Sequence, residues 1–357
     1  MAEMFGISIF LGEEMTGETR TYIQEMHQIG FKGIFTSLHI PEENGDLYAN
    51  RLKELGEVAK KAKMKLMVDI SGIALERAGF SFEHLDELLS IGVTGLRMDY
   101  AISNQLIAKV SQSLDVGLNA STITTDDITE LKSFRANFEH IEAWHNYYPR
   151  PETGLSSRFF RKKNEWLKQT GFQVVAFVPG NEQLRGPLYE GLPTLEKHRY
   201  DNPFSAAVDL KENYRVEGVY FGDPMISKRT QKQFEIYSKY GVIQMEVEDI
   251  GSRYYSLILG DHNNRQDEAR DVIRSADARF GKIEMIEPEE VLERKMGSVT
   301  IDNIGYGRYM GEIQLTKIDL PENKKVNVVA QVTPEDHSLL QLIKAGRTFN
   351  LTEKGTL

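Results

Sequence analysis

The chain has 357 residues, of which 43 are basic and 53 acidic, for a net charge of −10, and it contains no cysteine. The acidic balance argues against a nonspecific hold on nucleic acid or anionic lipid, so any anionic ligand has to be caught locally. The missing cysteines exclude disulfides, thiolate metal sites and cysteine nucleophiles and suit an intracellular enzyme, and with no basic leader and no apolar span of roughly 20 residues near Met1 the expectation is a cytoplasmic protein without a membrane segment.

From Phe5 onward a short apolar strand, a polar turn and an amphipathic helix recur. The strands read FGISIFLG from Phe5, GIFTSLHIP from Gly33, KLMVDISG from Lys65, GLRMDYA from Gly95, DVGLNAST from Asp115, HIEAWHNYYP from His140, QVVAFVPGN from Gln173 and GVYFGDP from Gly218. Between them, Leu52, Leu55, Ala59 and Ala62, and then Leu85, Leu88 and Leu89, fall at helical spacing, and Gly30, Gly92 and Gly171 stand where helices end. Eight such units in a row are what a (β/α)₈ TIM-type barrel requires, so residues 1–241 are expected to form the catalytic barrel.

After Gly241 apolar alternation takes over in VIQMEVED, YYSLILG, KIEMIEPEE, SVTIDNIGYGRYMGEIQLTKI and KVNVVAQV. Residues 242–357 therefore read as a smaller, mostly β domain, with one helix near Gln266 to Ser275 and another near Pro334 to Ala345. The glycine-rich DNIGYGRYMGE at 302–312 is expected to be a hairpin or bulge, with a homodimer contact or a cover over the barrel mouth as the other readings.

A barrel of this kind carries its active site at the C-terminal ends of its strands. Those ends supply Ser37 and His39, Asp69, Arg97 and Asp99, Asn119, His145 and Asn146 with Tyr147, Tyr148 and Arg150 behind them, and Asp223. Asp69, Asp99 and Asp223 are candidate acids, bases or nucleophiles, since burial and neighbours separate carboxylate pKa values; each also has the bland reading of a helix cap or an ion-pair partner. His39 and His145 beside carboxylates suggest a metal, but no His-x-His pair occurs on strand one and no metal or cofactor is expected. A pyridoxal-phosphate enzyme of similar outline would need a lysine on strand one, which has none.

The longest interval between strand starts, 45 residues, separates strands seven and eight and holds NEQLRGPLYEGLPTLEKHR at 181–199. Loops after the last two strands often hold phosphate in this fold, which makes Arg185 and Arg199 candidate phosphate ligands, against the alternative of a solvated loop in which Arg199 pairs with Glu196. TLEKHR reads as the opening of a helix, with Glu196 as a candidate catalytic carboxylate.

FGISIFLG, FTSLHIP at 35–41, LRMDY at 96–100, LNAST at 118–122, HNYYPRPETGLS at 145–156 and RGPLYEGLPTLEKHR at 185–199 together resemble the MupG-type 6-phospho-N-acetylmuramidases, a bacterial family. The resemblance covers nearly the whole chain. It implies a barrel followed by a cyclophilin-like β domain. The implied reaction is hydrolysis of the β-1,4 bond of N-acetylmuramic acid 6-phosphate–N-acetylglucosamine, a phosphorylated amino-sugar disaccharide formed in peptidoglycan recycling. Glycoside hydrolysis then calls for a proton donor and a nucleophile or base. The expected arrangement places Asp99 and Asp223 at the reacting carbon, with Glu196 or Asp69 as the acid. Ser37, His39, Asn119, His145, Asn146, Arg150, Arg185 and Arg199 are expected to bind substrate. A noncatalytic sugar-phosphate sensor and a sugar-phosphate aldolase or epimerase remain the alternatives.

Overall fold

The expected strands form at the expected places: β1 (Met4–Ser8), β2 (Gly33–Ser37), β3 (Lys65–Ile70), β4 (Gly95–Met98), β5 (Asp115–Asn119), β6 (Ile141–Trp144), β7 (Gln173–Val178) and β8 (Gly218–Phe221). The computed structural model describes residues 4–38, 45–70, 74–98, 102–276, 278 and 285–357. Neighbouring strands pair in parallel, and β8 returns to β1 with Met4 opposite Gly218 and Gly6 opposite Tyr220, so the sheet closes into a barrel.

Local sequence starts and stops the surrounding helices. The Thr16 side chain caps Gly17–Ile29, which ends on Gly30 at φ 109; Thr124 and Asp127 form a reciprocal capping box on Thr125–Ser133. Leu52, Leu55 and Ala59 are fully buried, as their spacing predicts, whereas Leu89 is 43% exposed because Leu85–Ile91 spans only two turns and buries Leu88.

Inside the barrel, side chains alternate with a period of two, so every second residue of each strand points to the axis. Phe35, Met67, Trp144, Val175, Phe177 and Tyr220 fill the interior as a single aromatic and aliphatic cluster. The Tyr220 ring lies where a Cβ on Gly6 or Gly33 would fall 2.2 or 2.0 Å from its atoms, so these two strands need glycine to admit it. On β2 to β6 the inward position nearer the mouth turns polar.

The chain divides into compact units of Met1–Ser227 and Lys228–Leu357. The second unit contains the helix Lys228–Tyr240 and, among the described residues, a seven-stranded mixed sheet: β9 (Ile243–Asp249), β10 (Gly260–Asn263), β11 (Val272–Arg274), β12 (Ser298–Asp302), β13 (Ile313–Thr316), β14 (Val326–Val332) and β15 (Thr348–Glu353), in the order β10-β15-β9-β14-β12-β13-β11. Arg229 ties the helix to the sheet through Glu246 and Asp336.

Several local expectations change here. Residues 266–275 carry a turn and β11 instead of a helix, because antiparallel pairing with β13 outweighs the helix preference of a charged run. YYSLILG holds a one-turn 3₁₀ helix, Tyr255–Leu257, before Gly260 at φ 107 begins β10. The described part of KIEMIEPEE, 285–290, forms no regular element, and Pro334–Leu342 winds as a 3₁₀ helix. DNIGYGRYMGE is the β12–β13 connection, as its glycines suggest. The strand β15 was missed although TFNLTE alternates, because it offers only Phe349 and Leu351 as apolar positions; it pairs in parallel with β9.

Candidate active site

The mouth level of the barrel is built by counting two residues beyond the inner level. Phe35 leads to Ser37, Met67 to Asp69, Gly95 to Arg97, Gly117 to Asn119 and Trp144 to Asn146. Arg97 Nη1 donates to Asp69 Oδ1 at 2.6 Å and Nη2 donates to the Asn146 side-chain oxygen, while Ser37 Oγ donates to Asp69 Oδ2 at 3.4 Å. Asp69 and Arg97 are 6% and 4% exposed, so this ion pair operates with little water to screen it. Asn119 turns its oxygen to the Ser121 amide at 2.9 Å, fixing the start of the loop after β5.

A second group gathers at the start of the β7–β8 loop. Asp223, fully buried, accepts the backbone N–H groups of Gly180 and Leu192 on one oxygen, both at 2.9 Å, and that of Arg185 on the other at 3.0 Å. Burial pushes its carboxyl above the ordinary range although the three amides pull it down. Its oxygens are turned to the loop backbone, and it holds the stretch 180–192 in a closed turn. This corrects the expectation that Asp223 faces the reacting carbon.

Arg185 is presented by the segment so anchored. Its guanidinium lies 3.8 Å from the centre of the Phe10 ring, and Nη1 donates to the Tyr147 hydroxyl at 2.6 Å. Asp69 and Arg97 both act electrostatically on Tyr147, so this group adjoins the mouth-level ion pair. A cavity of about 430 Å³ opens beside it, with Phe10, Arg51, Arg185 and Tyr189 in its lining, a size that suits a small ligand.

Glu196 and Arg199 pair with each other, as the alternative reading of this loop had it, but Arg199 is buried and not solvated. Glu196 accepts the amides of Glu152 at 2.8 Å and Gly154 at 2.7 Å together with two donors of Arg199, and Arg199 above all, then the amides, holds its carboxyl down at about 2. Such a group is a poor proton donor near neutral pH. Arg199 spends its remaining donors on the carbonyls of Tyr148, Arg150, Glu190 and Gly191. The pair ties the loop after β6 to the loop after β7, and TLEKHR makes one 3₁₀ turn, Glu196–His198, rather than the start of an α-helix.

His145 is also corrected as a ligand-facing residue. It has no exposed surface, its Nε2 lies 2.7 Å from the Asn164 oxygen on the helix Ser157–Gln169, and it packs on Phe160; burial lowers its pKa to about 4. Arg150 is exposed and meets this site through its carbonyl. His39 and Asp99 lie outside the described residues. The residue missed from the sequence is Phe10, whose signal is its place two residues past Ser8 on the same alternation.

Residues 5–236 match the N-terminal part of 6-phospho-N-acetylmuramidase, and residues 242–352 match its C-terminal part. The chain belongs to this family of glycosidases. The 6-phospho-N-acetylmuramidase fold is shared along its whole length with a solved structure of a conserved protein of unknown function from a locus in Enterococcus faecalis, 54% identical over 99% of this chain and 97% of that one, with a TM-score of 0.93. An uncharacterized B. cereus protein is 25% identical over 99% and 100% of the two chains, with a TM-score of 0.76. No curated protein matches the chain. Among the described residues no helix is long and apolar enough to cross a membrane.

Proposed function

We propose that the barrel hydrolyses the β-1,4 bond of N-acetylmuramic acid 6-phosphate–N-acetylglucosamine in the cytoplasm, as a step of peptidoglycan recycling. The family match over both parts of the chain carries this reading, and the mouth supports it with the buried carboxylate of Asp69, which acts on Tyr147, the hydrogen-bond partner of the cavity-lining Arg185. Asp69 accepts hydrogen bonds from Arg97 and Ser37. This acceptor's arrangement suits a base, or a stabiliser of the positive charge that develops at the anomeric carbon. Asp99, two positions past Arg97 in the sequence, is assigned as the second carboxylate.

The test is turnover by the purified protein. It is expected to release N-acetylglucosamine from the 6-phosphorylated disaccharide and to leave the unphosphorylated one nearly untouched. Binding without product on prolonged incubation would mark a sensor instead of a glycosidase, and equal rates on both disaccharides would remove the phosphate from recognition.

A further inference from the structure

We propose that Phe10, Arg185 and Tyr147 form an anion clamp at the barrel mouth, in which the Arg185 guanidinium and the Tyr147 hydroxyl hold the phosphate of the substrate. The identification of the anion rests on the proposed function; the clamp itself rests on geometry.

Arg97, Arg199, Arg51 and Arg185 commit their donors differently. Arg97 is spent on Asp69 and Asn146. Arg199 is engaged at every nitrogen by Glu196 and backbone carbonyls. Arg51 directs Nη1 to the carbonyls of Leu11 and Gly12 at 2.8 and 2.7 Å, which shapes the loop after β1. Among the described residues the Arg185 side chain hydrogen-bonds no carboxylate, although Asp223 lies within electrostatic reach, and its one hydrogen bond goes to a neutral phenol. A guanidinium has five N–H donors, so most of this fork remains for a ligand.

The neighbours set the direction of the fork. The contact with Phe10 covers one face of the guanidinium, and both residues line the cavity. Tyr147 accepts from Arg185, so its own O–H proton is available to a second acceptor on the ligand. The Arg185 backbone amide is fixed by Asp223, which makes Asp223 a positioning residue for the clamp. The same cavity is also lined by Glu13, Glu14 and Glu18, which repel an anion and can accept from sugar hydroxyls, so Arg185 is the group there that draws the charged end of a ligand.

A phosphate monoester fits this donor set better than a carboxylate does. The arginine edge takes two oxygens side by side and the hydroxyl takes a third, whereas a carboxylate has only two to offer.

The experiment measures inorganic phosphate binding by calorimetry, with lactate as the carboxylate control, on the wild type, Arg185→Ala and Tyr147→Phe. Phosphate is expected to bind the wild type more tightly than lactate, to weaken about tenfold or more in Arg185→Ala, and to weaken by a smaller factor in Tyr147→Phe, which keeps the ring and its packing. In turnover of the phosphorylated disaccharide, KM should rise far more than kcat falls. Unchanged phosphate binding in both variants, or tighter binding of lactate than of phosphate, overturns the clamp. Loss of phosphate binding in the variants of a protein that shows no turnover supports the clamp while sinking the glycosidase reading. Should Arg185→Ala fold poorly, Tyr147→Phe carries the same decision.

Discussion

Two carboxylate–arginine pairs stand near the barrel mouth, Asp69 with Arg97 on adjacent strands and Glu196 with Arg199 one turn apart in the β7–β8 loop. In composition they are alike. They differ in what else the oxygens and nitrogens touch. The strand pair has side-chain partners, Ser37 and Asn146, and stands on the inward faces of β3 and β4, where backbone groups are already used in the barrel ladder. The loop pair is wrapped in amides and carbonyls from 148–154 and 190–191, groups that no ladder serves. A loop has to satisfy its own backbone, so charged side chains on it are drawn into that work, while a strand leaves its side chains available for chemistry.

This contrast is sharpened by substitution. Asp69→Asn should lower kcat on the phosphorylated disaccharide by about 10²–10⁴-fold if the carboxylate takes part in proton transfer. It should also destabilise the fold by about 3–5 kcal/mol, because Arg97 then lies buried without its counter-charge. A variant of full activity per folded molecule would remove Asp69 from the chemistry. Asp223→Asn sets an amide NH₂ against backbone N–H groups and should cost about 1–3 kcal/mol in denaturant unfolding. Its KM should rise through the displaced Arg185, with kcat in the folded fraction falling only a few-fold; a collapse of kcat at unchanged KM would return Asp223 to the catalytic set.

Glu196→Gln should leave turnover by folded protein close to wild type and show itself in the pH dependence of stability. The folded-state pKa of Glu196 is depressed from 4.5 to about 2. Its contribution is therefore present above the unfolded value and is lost as pH falls from near 4.5 toward 2. The wild type should lose this contribution across that window and the Gln variant should not, so the two stability profiles converge in acid. Parallel profiles would mean that the carboxylate carries no such stabilisation.

Much of this was legible beforehand. The strand starts at Gly33, Lys65, Gly95, Asp115, Gln173 and Gly218 were all readable from apolar runs bounded by turns, because parallel strands buried on both faces announce themselves by hydrophobicity. Asp69, Arg97, Asn119 and Asn146 were likewise collected from the strand ends. The loop residues were less legible. Glu196, Arg199 and Asp223 looked like active-site groups because composition records which side chains are present and not which backbone amides need a partner. His145 was misplaced for a related reason: it follows Trp144 immediately, and alternation turns it outward onto Phe160 and Asn164.

The sequence by itself thus determined the barrel, the polar level at its mouth and the family, since these follow from periodicity and from long motif blocks that survive without knowledge of contacts. Tertiary structure decided how each charge is used. Arg199 and Arg185 sit in the same loop and looked equivalent as phosphate ligands. One is enclosed by acceptors at every nitrogen, and the other is laid against Phe10 and lines a cavity. That distinction depends on where distant carbonyls and rings arrive in space, which no local pattern encodes.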